Sequence, residues 1–211
     1  MKTDKKKQAS QNEIKHEDIF TAAKNIFLKQ GFKSTSMDAI AAAANVSKRT
    51  VYQHYGNKEE LFQAMLSEHW NRVFEFNTAL FDDGKSIKDN LKNFSTLFLK
   101  FIYQQETIDL FRVLIAESNQ FPDLLNNILV DEKAPFTNAL IVFLKNKKKN
   151  NQLNILDAER AAAYFMGLLK EYHFWPMMLG FTKKKKLANP KILVEEAVNL
   201  FLKAYAGPKN R

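Results

Sequence analysis

The chain has 211 residues, 45% hydrophobic content, eighteen Phe and a formal charge of +9, enough to bury one large core or a small domain with a larger partner. Its pI near 9.5 favours an anionic partner, nucleic acid and acidic surfaces alike. With no Cys, disulfides, thiolate metal sites and cysteine nucleophiles are excluded. No apolar run nears the roughly 18 residues of a spanning helix, and the basic start MKTDKKKQASQNE has no apolar stretch behind it as a secretory signal would. A soluble, cytoplasmic chain without a membrane partner is expected.

In chain order, residues 1–11 hold four Lys and one acid with little apolar content, so a disordered basic tail is expected. Ile19, Ala22, Ala23, Ile26 and Phe27 then form a helical stripe closed by Gly31 as a C-cap. Thr35-x-x-Asp38 approximates a capping box, Ser47 caps the next helix, and Asn57-x-x-Glu60 opens another. Only Asn45 to Ser47 separate the first two of these helices, the corner of a helix-turn-helix.

Further on, Leu61, Phe62, Met65, Leu66, Val73 and Phe74 repeat at helical spacing. Leu91, Phe94, Phe98 and Phe101 follow, then Phe111, Leu114 and Ile115. Asp83-Gly84 lies between helical stripes and reads as a helix–helix loop. Phe121-Pro122 breaks the pattern before a helix ending in Lys145–Asn151, and Asp157 and Asn189-Pro190 start the last two helices. The lysine runs 145–149 and 183–186 read as solvated surface. The class is all-α, about nine helices: a helix-turn-helix domain over 12–58 and a larger helical domain over 59–211.

Within Lys48–Tyr55, Val51 and Tyr55 share a face that should pack inward. Arg49 and Gln53 share another, with Tyr52 beside them. Arg49 suits guanine O6 and N7, Gln53 adenine N6 and N7, and Thr50 a thymine methyl or a phosphate. Tyr52, His54 and Lys58 suit phosphate oxygens, and Thr35 and Ser36 with their helix start form another phosphate seat.

The segment from about Ile14 to Phe62 resembles the N-terminal domain of TetR/AcrR family transcriptional regulators. The matching residues are Gly31-Phe32, Thr35-Ser36-Met37, Ile40-Ala41, Ala44, Val46-Ser47-Lys48, Thr50-Val51-Tyr52, His54-Tyr55 and Lys58-Glu59-Glu60-Leu61-Phe62. The resemblance implies phosphate contacts at Ser36, Tyr52, His54 and Lys58 and base contacts at Lys48, Arg49 and Gln53. It also implies a homodimer on double-stranded DNA and an effector-binding C-terminal domain. Asn45 and Arg49 stand where the family often has Gly; Asn tolerates the left-handed conformation. Arg112–Glu117, with Phe121-Pro122-Asp123-Leu124 behind it, resembles the AcrR-like branch.

In the family, the segments Asp157–Gly180 and Pro190–Ala206 form a bundle across a two-fold axis. Ala161, Ala162, Ala163 and Gly167 would allow close approach there. Phe165, Leu168, Leu169, Ile192, Leu193, Ala197, Leu200, Phe201 and Ala204 supply apolar area, although an intramolecular core would use the same pattern. Two-fold symmetry predicts a palindromic operator. Phe94, Phe98, Phe101, Tyr103, Phe111, Phe165, Met166, Tyr172, Phe174 and Trp175 could line a pocket for a hydrophobic or aromatic effector, or simply be core. A ligand-responsive repressor is the expected function.

Catalysis finds little support. The four histidines are His16, His54, His69 and His173, and Glu13-x-x-His16 supplies half a di-iron site whose second half is missing. No Gly-rich phosphate loop is present. No catalytic residue, metal or cofactor is expected; an enzyme and a helical scaffold for acidic partners or membrane are the two rival classes.

Overall fold

The computed structural model describes residues 2–75, 80–119, 135–180 and 189–207, with side chains over 15–69, 80–119, 136–180 and 189–207. Among these residues there are ten helices and no strand. They are α1 (Lys2–Gln30), α2 (Met37–Ala43), α3 (Lys48–His54), α4 (Lys58–Glu75), α5 (Ile87–Ile102), α6 (Gln105–Glu117), α7 (Pro135–Lys149), α8 (Ala158–Lys170), α9 (Phe174–Met178) and α10 (Pro190–Tyr205). The side chains of Val73 and Phe74, together with Phe121-Pro122-Asp123-Leu124 and the 183–186 lysines, lie outside what is described.

α1 begins at Lys2, so the stretch expected as a disordered tail continues the helix. Its Lys, Gln and Ala residues are good helix formers, and neither Gly nor Pro interrupts them before Gly31. Gly31 ends α1 at φ +81, with its amide on the Phe27 carbonyl at 2.9 Å.

The chain divides into two compact units. The first joins Met1–Asn71 to Asp109–Asp131, so the boundary lies beyond the expected residue 58. The reason is packing. Leu61, Phe62, Met65 and Leu66 of α4 are wholly buried, and the Phe62 ring lies 4.9 Å from Phe27 and 5.1 Å from Phe32. Each such burial contributes about 1.5–3 kcal/mol, so the first half of α4 completes this core. Glu117 of α6 belongs to the same unit and accepts the Lys33 amide at 3.1 Å.

The second unit joins Arg72–Ile108 to Glu132–Arg211. α10 packs on α5 and α8, and α7 packs on α8. Asp83-Gly84 does lie in a loop before α5. Buried Asn90 holds that loop, donating to the carbonyls of Asp82, Lys85 and Ser86 and accepting the Asp82 amide at 2.7 Å. Asp157 caps α8 and Asn189 caps α10, with Pro190 in the first turn.

The segment Asp157–Gly180 is two helices rather than one. Pro176 cannot donate within a helix interior but is tolerated in a first turn, and α9 starts at Phe174 so that Pro176 falls there. The chain end is stitched back to the turn before α8. Leu153 and Ala206 form an isolated bridge, and the Asn154 amide donates to the Tyr205 carbonyl at 2.9 Å.

Candidate nucleic-acid interface

The corner of the first unit is built by local chemistry. Ser36, not Thr35, caps α2, accepting the Ala39 amide at 3.1 Å. Thr35 is 3% exposed and its hydroxyl donates to the Gly31 carbonyl at 2.7 Å. The expected phosphate role of Thr35 therefore fails, because its hydroxyl ties α1 to α2 inside the domain. The turn passes through Asn45 at φ +53, and Val46 donates to the Ala41 carbonyl at 3.0 Å. Ser47 then caps α3, accepting the Thr50 amide at 3.1 Å.

α3 divides as its pattern predicts. Val51 is fully buried and Tyr55 is 6% exposed, while Lys48, Arg49, Tyr52 and Gln53 are exposed. Thr50 and His54 are half-buried, and the Thr50 hydroxyl shares a hydrogen bond with Ser47 at 2.8 Å. Tyr55 is held by a 2.7 Å hydrogen bond between its hydroxyl and His16 Nε2. Burial pushes the Tyr55 phenol up to about 12. His16, at the half-motif weighed for a metal, thus steadies the reading helix. Among the described residues no cluster of three or more His, Cys, Asp or Glu could hold a metal ion.

Two basic residues differ from expectation. Lys58 spends its three N–H groups on carbonyls, reaching Phe32 at 2.9 Å, Thr35 at 3.0 Å and Lys33 at 3.4 Å. Its ammonium also lies 4.4 Å from the centre of the Phe32 ring. It fastens the α1–α2 turn instead of standing free for phosphate. Lys48 pairs with Asp38 at 2.7 Å, and that hydrogen bond holds its pKa above the ordinary lysine value. In the sequence Asp38 shows only as part of a cap. Asn57 does cap α4, accepting the Glu60 amide at 2.8 Å, while the Glu60 carboxylate accepts the Asn57 side-chain amide at 2.8 Å and the Gly56 backbone amide at 3.1 Å.

In the second unit, Phe94 (0% exposed), Phe98, Phe101 and Phe165 are packed core. Phe136 meets Phe94, Phe98 and Phe101 at 5.8, 5.4 and 5.5 Å, so the rings fill the space expected as a pocket. Phe136 heads a helical stripe with Leu140, Phe143 and Leu144, all buried, and that spacing was the signal by which it could have been found. Met166 and Phe174 are also buried. Tyr103 is half-buried, with its hydroxyl on the Leu169 carbonyl at 3.4 Å. Tyr172 and Trp175 are largely exposed, and Phe111 falls in the first unit.

The expected dimer residues split in the same way. Ala161, Phe165, Leu169, Ala197 and Phe201 are buried within the unit, with Phe165 and Phe201 rings 4.9 Å apart. They face inward because the stripe that meets the chain's own core has the same helical period. Leu193 is half-buried. Leu168 and Leu200 are exposed beside Tyr164, Ile192, Ala163 and Ala204. A shallow groove of about 550 Å³ runs between α8 and α10 over Ala163, Tyr164, Gly167, Leu168, Leu200 and Ala204.

A capped corner that carries an outward polar helix on a buried partner defines a helix-turn-helix DNA-binding regulator. Residues 19–65 match the model for bacterial regulatory proteins of the tetR family, and residues 89–207 match that for the AefR-like transcriptional repressor C-terminal domain. The chain belongs to the TetR family of transcriptional regulators. It is 25% identical over 185 residues to the uncharacterized HTH-type transcriptional regulator YvkB of Bacillus subtilis, covering 88% of this chain and 94% of that one. It is 28% identical over 172 residues to the HTH-type transcriptional regulator TtgR of Pseudomonas putida, covering 75% and 80%. Among solved structures, the flavonoid-responsive regulator FrrA superposes with a TM-score of 0.79 at 27% identity, covering 91% of this chain and 97% of that one.

Proposed function

We propose that the protein is a cytoplasmic, ligand-responsive repressor that binds a palindromic operator as a homodimer. The observation that carries this reading is α3: Val51 and Tyr55 anchor it while Arg49, Tyr52 and Gln53 face solvent. Arg49 and Gln53 read bases, and Ser36, Tyr52 and His54 meet phosphates. The exposed apolar residues Tyr164, Leu168 and Leu200 support pairing through α8 and α10, which brings two reading helices into one particle. Likeness to a flavonoid-responsive regulator supports a hydrophobic or planar effector, and likeness to the AefR-like repressors supports repression. Such a ligand relieves repression by preferring a dimer whose reading helices are wrongly spaced.

Selection of binding sites from random DNA, with sedimentation of the free protein, tests this. A two-fold symmetric site with half-sites about one helical turn or a multiple apart, bound by a dimer, is expected. An asymmetric site, or no sequence preference, would overturn it.

A further inference from the structure

Of the lysines in the 145–149 run, Lys147 is not solvated: its side chain is 9% exposed. Its ammonium is held 3.1 Å from Asp83 and lies 5.2 Å from the centre of the Phe143 ring. Asp83 is itself fully exposed. A carboxylate in bulk water is a weak partner for a buried ammonium, because its charge is screened and competing water is free.

Lys147 lines a cleft of about 930 Å³, within the range of roughly 300–1,000 Å³ that houses small ligands. Lys85, Lys88 and Lys203 line it too. Lys85 stands 3.6 Å from Asp82, while Lys88 and Lys203 have no ion-pair partner among the described residues. Four ammonium groups thus meet one lining carboxylate, Asp83. The remaining wall is partly apolar, made by Ile87, Leu153, Leu202 and Ala206.

We propose that this cleft binds a small amphipathic anion, a carboxylate or phosphate headgroup on a short hydrocarbon tail. The headgroup sits among Lys147, Lys85 and Lys203, releasing Asp83 to water, and the tail lies along Leu153 and Leu202. Charge alone would admit inorganic phosphate, but the apolar wall is used only by a ligand with a tail. The site is argued from its own lining and does not depend on the DNA-binding reading. It is also separate from the packed Phe94–Phe136 cluster.

Calorimetric titration of the full chain with octanoate, octyl phosphate, inorganic phosphate and octylamine tests it. At least one octyl anion is expected to bind once per chain, about tenfold or more tighter than inorganic phosphate, and octylamine is expected not to bind. Binding of one anion and not the other identifies the headgroup. Lys85→Gln and Lys203→Gln, both at exposed positions, should each weaken binding about fivefold with melting temperature unchanged, and Lys100→Gln should have no effect. The proposal is overturned if neither octyl anion binds, if inorganic phosphate or octylamine binds as tightly, or if the double variant Lys85→Gln/Lys203→Gln retains full affinity.

Discussion

Lys58 occupies a motif position that the sequence reading assigned to phosphate, yet its donors are taken by the Phe32, Lys33 and Thr35 carbonyls. Lys58→Ala is therefore expected to lower unfolding free energy by about 1–3 kcal/mol, the cost of stranding part-buried acceptors. The salt dependence of DNA binding by the folded variant should stay unchanged; denaturant melts and binding titrations at several salt concentrations check both. Arg49 and Gln53 carry the opposite expectation. Arg49→Ala or Gln53→Ala should cost about 1–3 kcal/mol in operator affinity and relax preference at one base pair, read by binding to single-base operator variants, with stability unaltered. Arg49 and Gln53 were legible as exposed because helical spacing sorts side chains into faces. The Lys58 and Thr35 bonds were not, because they depend on how the α1–α2 turn folds back in three dimensions.

Elements whose signals are local were read well. The caps at Ser47, Asn57, Asp157 and Asn189 lie within three residues of the amides they accept, so sequence spacing is nearly the whole of their geometry. Replacing Asn57 by Ala should cost about 1 kcal/mol of stability, measurable by thermal unfolding. Two elements were misjudged although their signals are local, the helical start of α1, rich in Lys, Gln and Ala, and the break at Pro176 before α9; what depends on longer-range packing was harder still to read. Gly207 belongs to this second kind. A Cβ there would lie 2.9 Å from the Asn151 carbonyl oxygen and 3.1 Å from that of Gln152. Gly207→Ala should then loosen the stitched chain end at a cost of about 1–3 kcal/mol. Faster amide exchange at Asn154, whose partner is the Tyr205 carbonyl, would report it; unchanged exchange would mean that the end adapts freely.

Across the whole molecule, one apolar periodicity serves two purposes, and sequence could not divide them: Phe165 and Phe201 went to the core, Leu168 and Leu200 to the surface. Leu200→Glu should therefore convert a sedimenting dimer to monomer with little change in helix content, since Leu200 is 57% exposed. Burial also raises the phenols of Tyr55 and Tyr103 to about 12, whereas an unfolded tyrosine titrates near about 10. The folded state holds these protons more tightly. The stability they contribute is complete below about pH 10 and is lost as pH rises through about 12. Absorbance titration should show two of the six tyrosines ionising last, together with unfolding. The division of α3 has a further consequence for how such a regulator changes over generations. Because Val51 and Tyr55 hold the helix and Arg49 and Gln53 are exposed, with no hydrogen bond or ion pair among the described residues, substitutions at the latter pair carry little folding penalty. Operator preference can drift one base pair at a time, and a duplicated copy can acquire new target genes without first passing through an unstable ancestor.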